Sequence, residues 1–214
     1  MEQNGTITVY IAVRSSDVQT STVDESGKKK HGDNAGSIFL CPKNTQVVVG
    51  RMHLGDENGE TTYKYGDLSF IGRNADKYEF ELSDVFYSDY MKESNSKFTC
   101  PDGTLIVGRE HVGDENGKTR YAYKKLYGRK RGALAAWVPC KLSKTFDCVT
   151  KESSGLWAEA FIPSDYIETT SIETEKTYYA PMYAREHEGD ENGKTTTHFA
   201  LCAFELCEKS ESEE

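Results

Sequence analysis

No stretch of this 214-residue chain approaches the apolar length needed to cross a bilayer, so no membrane span is expected. The opening Met-Glu-Gln-Asn-Gly lacks the basic and apolar regions of a signal peptide, which points to a cytoplasmic protein or one secreted by a leaderless route. Basic residues are also in deficit. The 26 Lys and Arg against 35 Asp and Glu leave a formal charge of -9, and a nucleic-acid partner would need a cationic surplus to neutralise phosphates. Basic runs at Lys28 to Lys30 and around Lys124, Lys125, Arg129, Lys130 and Arg131 read as solvated strand ends or turns. The apolar fraction is only 36%, yet 13 Tyr, 9 Phe and 2 Trp exceed what a disordered chain carries, so a folded protein with a strongly polar surface is expected. No C-x-x-C pair is present to start a zinc site. The six cysteines, Cys41, Cys100, Cys140, Cys148, Cys202 and Cys207, make either three disulfides with 15 connectivities or six buried thiols.

What the chain has instead is an internal repeat, R-x-H-x-G-D-E-N-G-x-T, present three times. The first copy runs from Cys41 to Tyr65, the second from Cys100 to Tyr123 and the third from Tyr179 to Leu201; the third lacks the leading cysteine and has Ala184 where the others have glycine before the arginine. The histidines fall at 53, 111 and 187, so the second interval is the longer, and an insertion of roughly twenty residues is expected within 132–157. Alternating segments such as Thr6 to Val13 and Tyr78 to Leu82, separated by Ser, Asp and Gly, read as strands. The expected fold is all-β: one domain over 1–214, an antiparallel sheet protein with three hairpin repeats in a pseudo-threefold barrel, prism or sandwich, and an acidic tail over 205–214.

Asn-Gly between alternating segments is the strongest short-range hairpin signal, because both central residues of a type I′ turn need positive φ. Two-residue loops at Asn58-Gly59, Asn116-Gly117 and Asn192-Gly193 would set His53 opposite Lys64, His111 opposite Ala122 and His187 opposite His198. Arg51, His53 and Glu57 would then share a polar, solvated face. Met52, Leu54, Asp56, Thr61, Tyr63 and Tyr65 would lie on the other, apolar and buried one. A hairpin has no intrinsic use for a fixed histidine, so the pattern points to ligand contact. The candidate ligand-binding set is Arg51, His53, Asp56, Glu57 and Asn58, with Arg109, His111, Asp114, Glu115 and Asn116, and Arg185, His187, Asp190, Glu191 and Asn192.

These residue types offer donors and acceptors for sugar hydroxyls beside aromatic rings for stacking. Three such loops on one body would gain avidity on a clustered glycan. The C-P-x-G start, the Val-rich strand, the histidine and the acidic turn before an aromatic strand resemble dermatopontin-like and invertebrate lectin repeats, over about twenty-five residues per copy; the Asp-Arg-x-Trp element of those repeats is missing here. The resemblance implies hairpin architecture and, beyond it, sugar binding. A multivalent lectin-like protein is therefore the leading expectation, with a glycan or cell-surface carbohydrate as partner. The alternative is a structural or interaction protein, such as a phage, secretion-system or toxin component, whose repeats make assembly contacts, homo-oligomers included. Catalysis is not expected, since no nucleophile motif accompanies the histidines and no helix follows Gly103 and Gly108 to make a phosphate loop. No cofactor is expected either; calcium is the one ion that the Asp, Glu and Asn oxygens suit, but the spacing is not that of an EF-hand.

Overall fold

The computed structural model describes residues 5–25, 37–55, 59–72, 74–113, 117–132, 136–167, 177–190 and 192–208. Over these residues the chain is all-β. Two single-turn 3-10 segments, Ala75–Lys77 and Ser164–Tyr166, interrupt antiparallel strands gathered into a nine-stranded and a seven-stranded sheet. None of the helical segments is long and apolar enough to cross a membrane.

Each motif copy forms a hairpin. The first joins Gln46–Leu54 to Glu60–Phe70, the second Thr104–Val112 to Lys118–Lys130, and the third Met182–Glu188 to Lys194–Glu208. Along the outer edge of each second strand lies a flanking strand: Gly5–Asp24 on the first hairpin, Lys141–Lys151 on the third, and the broken series Tyr78–Leu82, Phe86–Tyr87 and Met91–Lys92 on the second. Along the outer edge of each first strand lies a short lead strand taken from elsewhere in the chain. Ser37–Leu40 precedes the first hairpin yet pairs with the second, placing Phe39 opposite Arg109; Lys97–Thr99 precedes the second yet pairs with the third, placing Phe98 opposite Arg185. Ala158–Glu159 precedes the third and pairs with the first, with Ala158 opposite Arg51. Each hairpin is thus edged by chain that belongs to a neighbouring copy.

The register differs from the two-residue Asn-Gly expectation. Leu54 pairs with Glu60, Val112 with Lys118 and Glu188 with Lys194, so five residues connect the strands and His53, His111 and His187 face Thr61, Thr119 and Thr195. Among the described loop residues the left-handed ones are the leading glycines, Gly55, Gly113 and Gly189, with φ between 94° and 104°. Gly193 is needed for a different reason: a Cβ there would lie 1.9 Å from the Glu188 carbonyl oxygen. Its amide donates to the Asp190 carbonyl at 2.8 Å, closing a turn with Asp first and Gly last, the composition of a type I turn.

A bulge recurs two residues before each arginine, at Val49, Val107 and Tyr183, where the pairing slips by one. Such an extra residue bends the strand and re-aims the side chains after it. The glycine after the bulge admits the lead strand: a Cβ on Gly108 would lie 2.3 Å from the Phe39 carbonyl oxygen, and one on Gly50 3.3 Å from that of Ala158. In the first two copies a lead-strand Phe stacks on the hairpin Tyr, Phe39 on Tyr63 at 4.3 Å and Phe98 on Tyr121 at 4.7 Å between ring centroids. Buried Val47, Val48, Leu105, Ile106, Leu126, Phe199 and Phe204 fill one shared core.

On the first and third hairpins Tyr63, Tyr65, Phe199 and Leu201 are buried while Lys64 and His198 are only half-buried, but Met52 and Leu54, expected on the buried face, are half-buried and 58% exposed because the same register turns them outward. On the second, Ala122 is buried under the Phe86–Tyr87 strand and Tyr123 is half-buried. Lys124 is also buried, its ammonium donating to Asn44 at 3.0 Å, so that part of the basic run is not solvated. The segment from 205 begins as strand, with Glu205 opposite Thr8 and Glu208 opposite Gly5. Part of 132–157, Lys141–Lys151, supplies the flanking strand of the third hairpin. All six cysteines are free thiols; burial pushes Cys100 up to about 12 and raises Cys41 further.

Candidate functional site

The arginine and histidine of each motif lie inside the protein, not on a solvated face. Arg51, His53, Arg109, His111, Arg185 and His187 are all buried, at 5% exposure or less. The cause is the register: its offset from the expected pairing is an odd number of residues, so Arg and His share a face with Thr61 and Tyr63, Thr119 and Tyr121, or Thr195 and Thr197. Asp190 and Asn192 are exposed, and Asp56, Glu57, Asn58, Asp114, Glu115, Asn116 and Glu191 lie outside the described residues.

Three glutamates outside the motif meet the buried arginines. Glu25, Glu93 and Glu152 each follow the end of a flanking strand, and their backbone amides donate to the carbonyls of Gly59, Gly117 and Gly193 at 3.0 Å. Arg109 pairs with Glu25 at 2.9 Å and with Glu93; Glu152 pairs with Arg185 at 2.9 Å and with Arg51. Arg51 also acts electrostatically on Glu25, and Arg185 on Glu93. Positive and negative groups therefore alternate in the order Arg51, Glu25, Arg109, Glu93, Arg185, Glu152, with each carboxylate between two guanidiniums. Burial opposes ionisation of all three carboxylates, but the arginines outweigh it and hold Glu25, Glu93 and Glu152 below the usual carboxylate range.

The histidines join this network to the loops. His53 and His187 place Nδ1 2.8 and 2.9 Å from the hydroxyls of Thr61 and Thr195, which donate to Glu25 at 2.7 Å and Glu152 at 2.5 Å. His111 contacts Glu93 directly through Nδ1, and its Nε2 donates to the Gly113 carbonyl at 2.9 Å. His187 likewise bonds the backbone of Asp190. A fixed histidine thus has a structural task, fastening the first residues of the loop to the charged layer beneath.

The glutamates escape a reading centred on the motif, although they carry a signal of their own. Asp24-Glu25-Ser26, Lys92-Glu93-Ser94 and Lys151-Glu152-Ser153 repeat a charged residue, Glu and Ser, at differing distances before each arginine. The turn after Glu93 reaches the third hairpin, with Asn95 accepting from the Gly189 amide at 3.0 Å and Ser96 from the His187 amide at 2.8 Å. The turn after Glu152 reaches the first, through the Gly155 amide on the His53 carbonyl at 2.9 Å, and holds Asn192 through Ser153 at 2.8 Å.

The outward faces of the hairpins carry the exposed chemistry. On the first, Lys64 pairs with Glu159 and lies 4.2 Å above the Trp157 ring. On the second, Arg120 pairs with Glu110 and sits between Tyr87 and Tyr90, 4.6 Å from each ring centroid. On the third, Lys97 pairs with Glu186 beside His198, whose ring is 6.0 Å from Tyr183. No protein-family model, curated protein or solved structure matches the chain.

Proposed function

We propose that the chain is a multivalent carbohydrate-binding protein whose three G-D-E-N-G loops are anchored, through their last glycines, to one shared base. The observation that carries this reading is convergence: the loop glycines Gly59, Gly117 and Gly193 are each bonded to a glutamate amide, and the three glutamates share three arginines. Arg and His belong to that base. The sugar-contacting set is therefore the Asp, Glu and Asn of each loop, together with the aromatic and charged outward faces beside them. Carboxylate and amide groups accept from and donate to sugar hydroxyls, and a rigid base lowers the entropy lost on binding. The test is a glycan array with the full chain, repeated with Asp56→Ala, Asp114→Ala and Asp190→Ala singly and together. Each single variant should weaken binding to a clustered glycan far more than to its monovalent form, since avidity is worth roughly two orders of magnitude or more. A parent protein that binds no glycan would overturn the reading.

A second reading, an assembly protein, is favoured by one observation. Among the described residues the Lys141–Lys151 strand pairs only with Lys194–Glu208, leaving a long second edge on which Val149 is 57% exposed. Unpaired edges template pairing with further chains. Light scattering distinguishes the two: a defined oligomer broken by Val149→Lys, with no glycan signal, supports assembly.

A further inference from the structure

We propose that the three copies are unequal as sugar sites and that the principal one is the outward face of the second hairpin, where Tyr87 and Tyr90 flank Arg120, with a neutral pyranoside as ligand. This rests on the carbohydrate reading above and adds where the sugar sits and of what class it is. Glu110 lies between Arg109 and His111 in the chain, so its side chain is on the opposite face of the strand from the charged interior. It is 6% exposed, yet it takes the Nε of Arg120 at 2.6 Å and a hydrogen bond from the Tyr90 hydroxyl. The guanidinium is thereby fixed in position between two rings. Tyr87 and Tyr90 are nevertheless 46% and 43% exposed. Half-exposed aromatics held rigidly around a fixed donor are costly to leave in water and suit a ligand with one apolar face and a rim of hydroxyls, which is the form of a pyranose.

Charge selects the class. The Arg120 cation is answered by Glu110 and the chain carries a net -9, so an acidic sugar meets repulsion that a neutral one does not. The platform is also close to the loop: Tyr90 adjoins Met91, which pairs with Thr119, and Glu93 bonds Gly117. The other outward faces are weaker platforms. On the first, Lys64 has the Trp157 ring at 4.2 Å but the second ring, Tyr179, only at 5.5 Å, while the third face offers a histidine in place of a second tyrosine.

The experiment titrates the full chain by calorimetry with methyl glycosides of glucose, galactose and mannose and with glucuronic acid. Binding of at least one neutral glycoside is expected, with Tyr87→Ala/Tyr90→Ala weakening it by about tenfold or more at unchanged melting temperature and Lys43→Ala, at an exposed ion pair away from the three outward faces, leaving it unaltered. Neutral glycoside bound equally by parent and tyrosine variant would overturn the location while leaving the carbohydrate reading intact. Preference for glucuronic acid would overturn the class. No binding by the parent to these sugars or to the glycan array would overturn both.

Discussion

Removing one carboxylate from the alternating charged layer leaves two guanidiniums buried with too few partners. Glu152→Ala strips Arg51 and Arg185 together and also the Thr195 hydroxyl, so a loss of about 3 to 5 kcal/mol is expected in chemical denaturation. Asp190→Ala, on an exposed residue of the same copy, should stay within about 1 kcal/mol. Acid acts on the same residues in two stages. Burial first, and Arg185 second, hold His187 below the ordinary imidazole range. The unfolded chain therefore takes up that proton before the folded one, and stability falls as pH drops through about 6.5. The depressed pKa values of Glu25, Glu93 and Glu152 place their stabilisation above the unfolded carboxylate range, so a second and larger loss begins below about pH 4.3. Melting curves between pH 8 and 3 check both. Loss of the upper stage in His187→Gln, with the lower one kept, identifies its source.

Each hairpin combines one bulge, one tolerant residue after it and one lead strand pressed against that residue. Gly108→Ala drives a methyl into the Phe39 carbonyl and should cost about 1 to 3 kcal/mol, more than Gly50→Ala, whose neighbour must move only by tenths of an ångström. Thermal melting of the two variants compares them directly. In the third copy the same place is taken by Ala184, opposite Thr99 and itself buried. The hairpins themselves were legible in the sequence, because a thrice-repeated G-D-E-N-G between alternating segments has few other readings. Their register was not. Asn-Gly suggests a two-residue loop, whereas the positive φ falls on Gly55, Gly113 and Gly189, and the resulting odd shift carries Arg and His from the outside to the inside. The bulges at Val49, Val107 and Tyr183 were hidden for a related reason: strand alternation assumes an unbroken period of two. Glu25, Glu93 and Glu152 escaped because they reach their partners through space from different sequence distances.

At the scale of the whole molecule, no copy completes itself. Arg51 depends on Glu152 and on the Ala158–Glu159 strand, so a fragment of residues 1–131, with two full motifs, should lack a cooperative melting transition, and far-UV dichroism and amide dispersion would reveal it. This differs from a linear repeat array, in which truncation leaves the remaining units standing. The pairing of Ala158 with Arg51 also fixes a timetable during synthesis. At about 5 to 20 residues per second, roughly 5 to 20 s separate the emergence of the first hairpin from that of its edge strand. Throughout that wait the Val-rich strand has an open side and Arg51 lacks Glu152, its ion-pair partner. A nascent chain paused there is the species a ribosome-associated chaperone would meet, and slowing the codons before Ala158 should lower the yield of folded protein.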